Sequence, residues 1–170
     1  MSGQSHDGEI LLYIMRHGEA EAPRFDDRSR QLTAAGREQV THAAQWLKQH
    51  FCESARIDLA LVSPYRRTRQ TFDSLSLDIQ FDKMEVLEDI TPDGDPNHVS
   101  DYLQALLSTH QTRKRPIQQV ILVSHMPLVS YLVDTLCHSY TTSLFATASV
   151  AVVAYSPERG EGRLLTHYQG

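Results

Sequence analysis

Short apolar runs recur along the chain and are separated by longer polar or amphipathic stretches. The first run, residues 10–15, carries no charged side chain, which is typical of a strand buried on both faces of a sheet. Such strands occur in parallel sheets that helices cover on both sides. Further strands are predicted at residues 59–62, 81–87, 120–123, 149–154 and 163–167.

Amphipathic stretches between the strands predict helices. Thr33 is suited to capping a helix whose apolar side chains recur at helical spacing, at Val40, Ala43, Ala44 and Leu47. A proline in the first-turn position indicates three further helix starts, at Pro64 after Ser63, at Pro96 after Asp95, and at Pro127.

The alternation of strands and helices predicts the fold class. It indicates an α/β three-layer sandwich, with a mostly parallel central sheet and helices on both faces. The strands at 149–154 and 163–167 follow each other without a helix, so they predict an antiparallel edge strand. A chain of 170 residues suits a single domain, assigned to residues 10–170, and residues 1–9 are expected to form a flexible N-terminal tail.

Composition and charge narrow the range of functions. The net charge of −5 argues against a nucleic-acid binder, but a phosphate site needs only a local group of cations. Two cysteines, Cys52 and Cys137, are too few for a disulfide framework. The polar N-terminus lacks the pattern of a signal peptide, and the longest apolar run, 144–155, is too short to span a bilayer. We therefore expect a cytoplasmic protein without a membrane partner.

Histidine and arginine side chains follow three of the predicted strands. Arg16, His17 and Gly18 come directly after the first strand, Arg67 lies shortly after the second, and His125 follows the fourth. Ligands of open parallel sheets bind at the carboxyl ends of the strands. The sequence therefore predicts that these residues converge at one edge of the sheet.

Such a cluster is suited to phosphoryl transfer. Arginine forks match phosphate oxygens two at a time, and a neutral imidazole is a competent nucleophile toward phosphorus. We expect His17 to attack phosphorus in line while Arg16, Arg67 and a protonated His125 hold the equatorial oxygens. Gly18 lets the backbone approach the ligand or turn sharply. The second ring nitrogen of His17 is expected to donate to a carbonyl group, which fixes the tautomer.

Three motifs, in order along the chain, resemble those of the histidine phosphatase superfamily, which includes the cofactor-dependent phosphoglycerate mutases. They are Ile14-Met-Arg-His-Gly-Glu, Leu61-Val-Ser-Pro-Tyr-Arg-Arg-Thr-Arg-Gln-Thr and Val123-Ser-His. The resemblance implies a phosphoglycerate mutase-like fold. The register of the second motif selects Arg67 over its neighbours Arg66 and Arg69.

Further segments resemble the SixA-type phosphohistidine phosphatases within that superfamily. They begin at Arg30, with Arg-Gln-Leu-Thr-Ala-Ala-Gly, and at Leu87, with Leu-Glu-Asp-Ile-Thr-Pro-Asp-Gly-Asp. This likeness implies a phosphorylated histidine on another protein as substrate, either a histidine phosphotransfer domain or a phosphocarrier of a phosphorelay. The superfamily's general acid is usually a glutamate after the third strand, and the resemblance implies that Asp89, in the most similar position, is the acid. Arg30 is expected to contact the phosphate or the partner at the mouth of the site, and water is expected to hydrolyse a covalent phosphohistidine intermediate on His17.

Two other functions remain open from the sequence. One is a broad-specificity phosphatase of small phosphomonoesters, and the other is a phosphate-binding module without turnover. No histidine pair has the HExxH spacing, and no GxxxxGK[ST] loop is present, so we expect neither a metal nor another cofactor.

Overall fold

The computed structural model describes residues 8–23, 25–110, 116–140 and 144–170, in which six strands form one sheet of order β3-β2-β4-β1-β5-β6. Strands β1 to β4 run parallel, whereas β5 is antiparallel to both β1 and β6. The strands are β1 (Ile10–Arg16), β2 (Arg56–Val62), β3 (Gln80–Val86), β4 (Gln119–Ser124), β5 (Val150–Ser156) and β6 (Glu161–Tyr168).

Two pairs of helices cover the sheet, one pair on each face. Helices α1 and α2 pack against side chains such as Tyr13 and Met15, and α3 and α4 pack against the opposite face, which includes Leu12 and Ile14. The predicted three-layer α/β sandwich with an antiparallel edge is therefore confirmed. The helices are α1 (Ala34–His50), α2 (Arg66–Leu75), α3 (Pro96–His110) and α4 (Leu128–Cys137).

Side-chain capping accounts for the start of α1 but not for those of α2 and α4, whose N-cap residues, Tyr65 and Pro127, form no side-chain cap hydrogen bond. The Thr33 hydroxyl accepts a hydrogen bond from the Gly36 amide at 2.9 Å, which confirms the predicted cap of α1. The predicted start at Ser63 and Pro64 is wrong, because α2 begins at Arg66. The Ser63 hydroxyl lies 2.7 Å from Nε2 of His125 and also accepts from the Tyr65 amide at 3.4 Å, in the turn before α2.

The sheet order brings the carboxyl ends of β1, β4 and β2 side by side. Arg16 is the register partner of Ser124, and Val62 is the partner of Val123. The helices that follow β1 and β4 lie on opposite faces, so the chain leaves these neighbouring strands in opposite directions. This is the topological position at which open α/β sheets bind ligands.

The N-terminal end of the described chain is held by the edge strand β6. Glu9, which the sequence placed in the tail, is 7 % exposed and pairs with Arg163 at 3.3 Å. Residues 1–7 of the predicted tail lie outside the described residues. No helix in the described segments combines the length and apolar character needed to cross a membrane.

Candidate active site

His17 lies at the centre of the site, immediately beyond β1. Its amide donates to the Ser124 carbonyl at 3.0 Å, and its carbonyl accepts from the Ala148 amide at 2.9 Å. The backbone of His17 is therefore tied to two neighbouring segments of the sheet edge. Its side chain is only 7 % exposed, and its ring lies edge to face with that of His125, with 5.3 Å between the centroids.

A backbone carbonyl fixes the tautomer of His17. Nδ1 donates to the Gly18 oxygen at 2.7 Å, which leaves Nε2 unprotonated in the neutral ring. The Nε donor of Arg67 points at that nitrogen from 3.3 Å. The electron pair of Nε2 thus accepts a hydrogen bond from the guanidinium of Arg67.

Gly18 is required by close packing on α1. A Cβ at this position would lie 2.7 Å from the Gly36 carbonyl oxygen and 3.1 Å from a methyl group of Val40. The Gly18 amide donates to the Thr71 hydroxyl at 3.1 Å, and its carbonyl accepts from His17. Both backbone groups of Gly18 therefore have protein partners and orient the imidazole. Direct contact of Gly18 with a ligand stays a prediction.

Arg67 is a buried cation, only 3 % exposed, at the first turn of α2. Besides His17, it contacts the 3₁₀ turn Asp27–Ser29: Nη1 donates to the Asp27 carbonyl at 2.8 Å, and Nη2 lies 3.2 Å from the Asp27 carboxylate. The other carboxylate oxygen of Asp27 pairs with Nε of Arg30 at 2.8 Å. Asp27 therefore joins Arg30 to Arg67, and contact of Arg30 with a phosphate or a partner stays a prediction.

Two buried nitrogen atoms in the cluster lack a partner among the described residues. Nη1 of Arg16 donates to the Phe145 carbonyl at 2.7 Å, but Nε of Arg16 has no hydrogen bond. His125 is 1 % exposed; its Nε2 meets the Ser63 hydroxyl, and its Nδ1 is unpaired. Buried polar atoms without a partner are uncommon, and here a bound anion would supply one.

Burial and positive charge together keep both imidazoles neutral. Burial is the main cause that lowers the pKa of His17 to about 4, and the nearby arginines add to it against the Gly18 hydrogen bond. Burial, then His17 and the arginines, lower the pKa of His125 to about 2. The protonated His125 expected from the sequence therefore requires a bound anion. Burial also lowers the pKa of Arg16 and Arg67, although both guanidinium groups stay charged.

Asp89 lies at the same edge of the sheet but outside this cluster. It belongs to the 3₁₀ turn Glu88–Ile90, which is attached to β4 through a 2.6 Å hydrogen bond from the Ser124 hydroxyl to the Ile90 carbonyl. Its carboxylate is 46 % exposed and lies 3.4 Å from Nε2 of His98. Among the described residues, no hydrogen bond or ion pair joins Asp89 to His17, Arg67 or His125. Its role as general acid stays a prediction.

Three neighbours of the site were not singled out from the sequence. Ser63 and Tyr65 belong to the second motif, so their positions carried a signal: Ser63 contacts His125, and the Tyr65 ring lies 4.8 Å from the His125 ring and 4.9 Å from the Arg67 guanidinium carbon. No sequence signal indicated Asp27, because it lies in an irregular loop without periodicity.

The cluster is suited to an anion rather than a metal ion. Apart from the Asp27 carboxylate, its charged groups are guanidinium groups, which repel cations and match the oxygens of phosphate. Within the described segments, no three histidine, cysteine or carboxylate side chains are grouped as metal ligands. A tetrahedral phosphoryl group between Arg16, Arg67 and His125 would present its phosphorus to Nε2 of His17, which is the arrangement for in-line transfer.

Comparison with known proteins agrees with this chemistry. Residues 12–92 match the model of the histidine phosphatase superfamily, branch 1. The chain is 38% identical to the phosphohistidine phosphatase SixA of Escherichia coli (strain K12) over 154 residues, which cover 90% of this chain and 89% of that protein. It is 36% identical to the SixA homolog of Haemophilus influenzae over 155 residues, 88% of this chain and 91% of that protein.

Solved structures share the whole fold. A structure of the protein histidine phosphatase SixA with tungstate superposes with a TM-score of 0.84 at 35% identity, covering 94% of this chain and 97% of that one. A putative α-ribazole-5′-phosphate phosphatase from Escherichia coli, at 16% identity and a TM-score of 0.67, shares the fold alone, over 95% of this chain and 97% of that one. The chain belongs to the histidine phosphatase superfamily and, within it, to the family of the SixA proteins.

Proposed function

We propose that this protein is a phosphohistidine phosphatase, a hydrolase that removes the phosphoryl group from a phosphorylated histidine of another protein. The observation that supports this proposal most directly is the protonation of the His17 ring. Nδ1 carries the proton and donates to Gly18, and the unprotonated Nε2 lies 3.3 Å from Nε of Arg67. A low pKa of about 4 keeps this nucleophile available at neutral pH. The SixA names of relatives at 36% and 38% identity support the same activity.

The reaction has two transfers. Nε2 of His17 attacks phosphorus, the phosphorus–nitrogen bond of the substrate breaks, and its electron pair stays on the partner's imidazole, which takes up a proton. Arg16, Arg67 and His125 hold the equatorial oxygens, where charge must be stabilised. Water then attacks the phosphohistidine, which returns neutral His17 and releases inorganic phosphate. Asp89 is the proposed proton donor and acceptor, and Arg30 and Gly18 are proposed contacts to the substrate.

The finer identity of the partner also belongs to this proposal. A histidine phosphotransfer domain or a phosphocarrier of a phosphorelay presents phosphohistidine on a folded surface, and both fit the substrate class of the SixA relatives. A cytoplasmic location stays a prediction from the sequence.

The direct test compares His17→Ala with the matched control His42→Ala, which removes an exposed imidazole of α1. We expect His17→Ala to abolish both the turnover of phosphohistidine protein and the trapping of an acid-labile, base-stable phosphoenzyme. His42→Ala should match the wild type in both measurements. Normal hydrolysis by His17→Ala would show that the mechanism is wrong.

A side-by-side assay separates the remaining functions. Phosphohistidine protein, p-nitrophenyl phosphate and sugar phosphates are offered to the same enzyme, and kcat/KM is compared. A strong preference for the small esters would show that the protein is a phosphomonoesterase and contradict the proposal. Binding of the phosphorylated partner without phosphate release would establish a binding module.

A further inference from the structure

Asp27 places a carboxylate on the arginine that would bind the phosphoryl group. One of its oxygens lies 3.2 Å from Nη2 of Arg67, and its backbone carbonyl accepts from Nη1 at 2.8 Å. With Nε directed at His17, each of the three nitrogen atoms of this guanidinium has a protein partner. These contacts use three of the five N–H donors of the guanidinium, so a phosphoryl group that binds the distal fork lies beside the Asp27 carboxylate or displaces it.

The carboxylate is the contact best placed to be replaced. Asp27 is 49 % exposed at its side chain, whereas Arg67 is 4 % exposed at its own. The second carboxylate oxygen pairs with Arg30 at 2.8 Å, a shorter contact than the one to Arg67. Asp27 can thus release Arg67 and remain paired with Arg30, while its backbone carbonyl still holds Nη1.

The Asp27 carboxylate is negatively charged at neutral pH. Slight burial raises the pKa of the Asp27 carboxyl, but the charges and hydrogen bonds of Arg67 and Arg30 together lower it by more. The pKa of Asp27 is therefore below its ordinary value. In the described part of the chain, Asp27 is the one carboxylate that forms an ion pair with Arg67. A phosphate dianion entering the site meets this fixed negative charge at close range.

We propose that Asp27 is a counter-ion that occupies Arg67 in the empty site and competes with the phosphoryl group for it, and thereby limits how tightly inorganic phosphate is held. Asp27 is then a positioning residue that acts through Arg67. This inference rests on the proposed function in one respect, namely that Arg67 binds the phosphoryl group. Its consequence is rapid product release, because the carboxylate returns to Arg67 as phosphate leaves.

The test pairs Asp27→Asn with Asp26→Asn. The asparagine at 27 keeps the length and an oxygen acceptor but removes the charge. Asp26 is the matched control because it is exposed on the same loop, its side chain makes no capping contact, and its loss changes the net charge equally. Calorimetry measures the affinity of each variant for inorganic phosphate, and Arg67→Ala provides the reference for loss of the site.

We expect Asp27→Asn to bind inorganic phosphate about threefold to tenfold more tightly, from a unit charge acting over several ångströms near the surface. The inhibition constant of phosphate should fall with it, kcat should not rise, and the gain should shrink at high salt because the carboxylate is half exposed. Asp26→Asn should bind phosphate as the wild type does. A purely structural effect would not depend on salt in this way.

Two results would overturn the inference alone. If Asp27→Asn binds phosphate more weakly while its melting temperature is unchanged, Asp27 only holds Arg67 in place. If it binds phosphate as Asp26→Asn does, its charge is irrelevant. If instead Arg67→Ala leaves phosphate affinity unchanged, Arg67 is not a phosphate ligand, and the site of the proposed function fails together with the inference.

Discussion

The imidazole rings of His17 and His125 meet edge to face, with 5.3 Å between their centroids, at the ends of two hydrogen-bonded parallel strands. Arg16 and Arg67 lie around the same pair, so a proton on either ring would add a positive charge beside two others. Both imidazole rings are also buried away from water. The unliganded site therefore keeps two neutral imidazoles, one as the nucleophile and one ready to take up a proton when an anion binds.

The ionisation of the pair can be measured directly. In ¹⁵N-histidine NMR, we expect His17 to titrate with a pKa of about 4 and His125 to stay neutral until about pH 2, because burial and cations disfavour both imidazolium forms. Inorganic phosphate or tungstate should raise the pKa of His125, since the anion stabilises its charged form. Assignment rests on His17→Gln and His125→Gln. A pKa of His17 near 6.5 would contradict a buried, cation-flanked ring.

The same pKa shift predicts acid sensitivity. The folded-state pKa of His17, about 4, lies below the ordinary 6.5, so between these values the unfolded chain binds the proton and the folded protein does not. Stability is therefore complete above pH 6.5 and is lost as the pH falls toward 4. Between about pH 7 and about pH 5, His17 should cost about 2 kcal/mol of unfolding free energy, from 1.36 kcal/mol per pKa unit.

Urea unfolding of His17→Gln at the two pH values checks this prediction. The variant should lose about 2 kcal/mol less than the wild type between them, because glutamine does not titrate. His42→Gln, at an exposed position of α1, should lose as much as the wild type. An unchanged pH dependence in His17→Gln would mean that the imidazole is not buried in its neutral form.

The fold was predictable because its signals are local and repeated. Continuous apolar strands with amphipathic segments between them restrict the chain to a parallel sheet covered on both faces. Convergence of Arg16, His17, Arg67 and His125 then follows from strand direction alone, since parallel strands end at the same edge. What the pattern did not predict is the start of α2 at Arg66, or that the Ser63 hydroxyl contacts His125 as well as the Tyr65 amide.

Other features of the site depend on contacts without a sequence signal. The carbonyl that fixes the tautomer of His17 belongs to the next residue, Gly18. Only glycine fits at position 18 because the backbone there packs against α1, a helix that begins sixteen residues later, at Ala34. Asp27 reaches Arg67 through a single 3₁₀ turn. Such contacts depend on how an irregular loop folds onto a helix, and neither periodicity nor capping rules describe that.

Gly18→Ala tests whether this packing orients the nucleophile. The added methyl would lie 2.7 Å from the Gly36 carbonyl, a backbone atom, so the chain beside His17 must shift. We expect a loss of about 1–3 kcal/mol in unfolding free energy from overpacking. We also expect kcat/KM for phosphohistidine protein to fall about a hundredfold, the cost of a nucleophile displaced by about 1 Å. Urea unfolding and steady-state kinetics measure the two effects, and wild-type kinetics in the variant would contradict the packing argument.

Asp89→Asn tests the proposed proton donor, with Glu88→Gln as the matched control on the same 3₁₀ turn. General acid catalysis matters most when the leaving group is a poor one, so a phenyl phosphate substrate should lose about a hundredfold in kcat. Phosphohistidine has a labile phosphorus–nitrogen bond, and its turnover should fall much less. Glu88→Gln should match the wild type on both substrates.

Because the Asp89 carboxylate pairs with His98 at 3.4 Å, His98→Ala should free it and leave the phenyl phosphate rate unchanged or faster. Equal rates for Asp89→Asn and the wild type on phenyl phosphate would remove Asp89 from the mechanism and leave water as the proton donor.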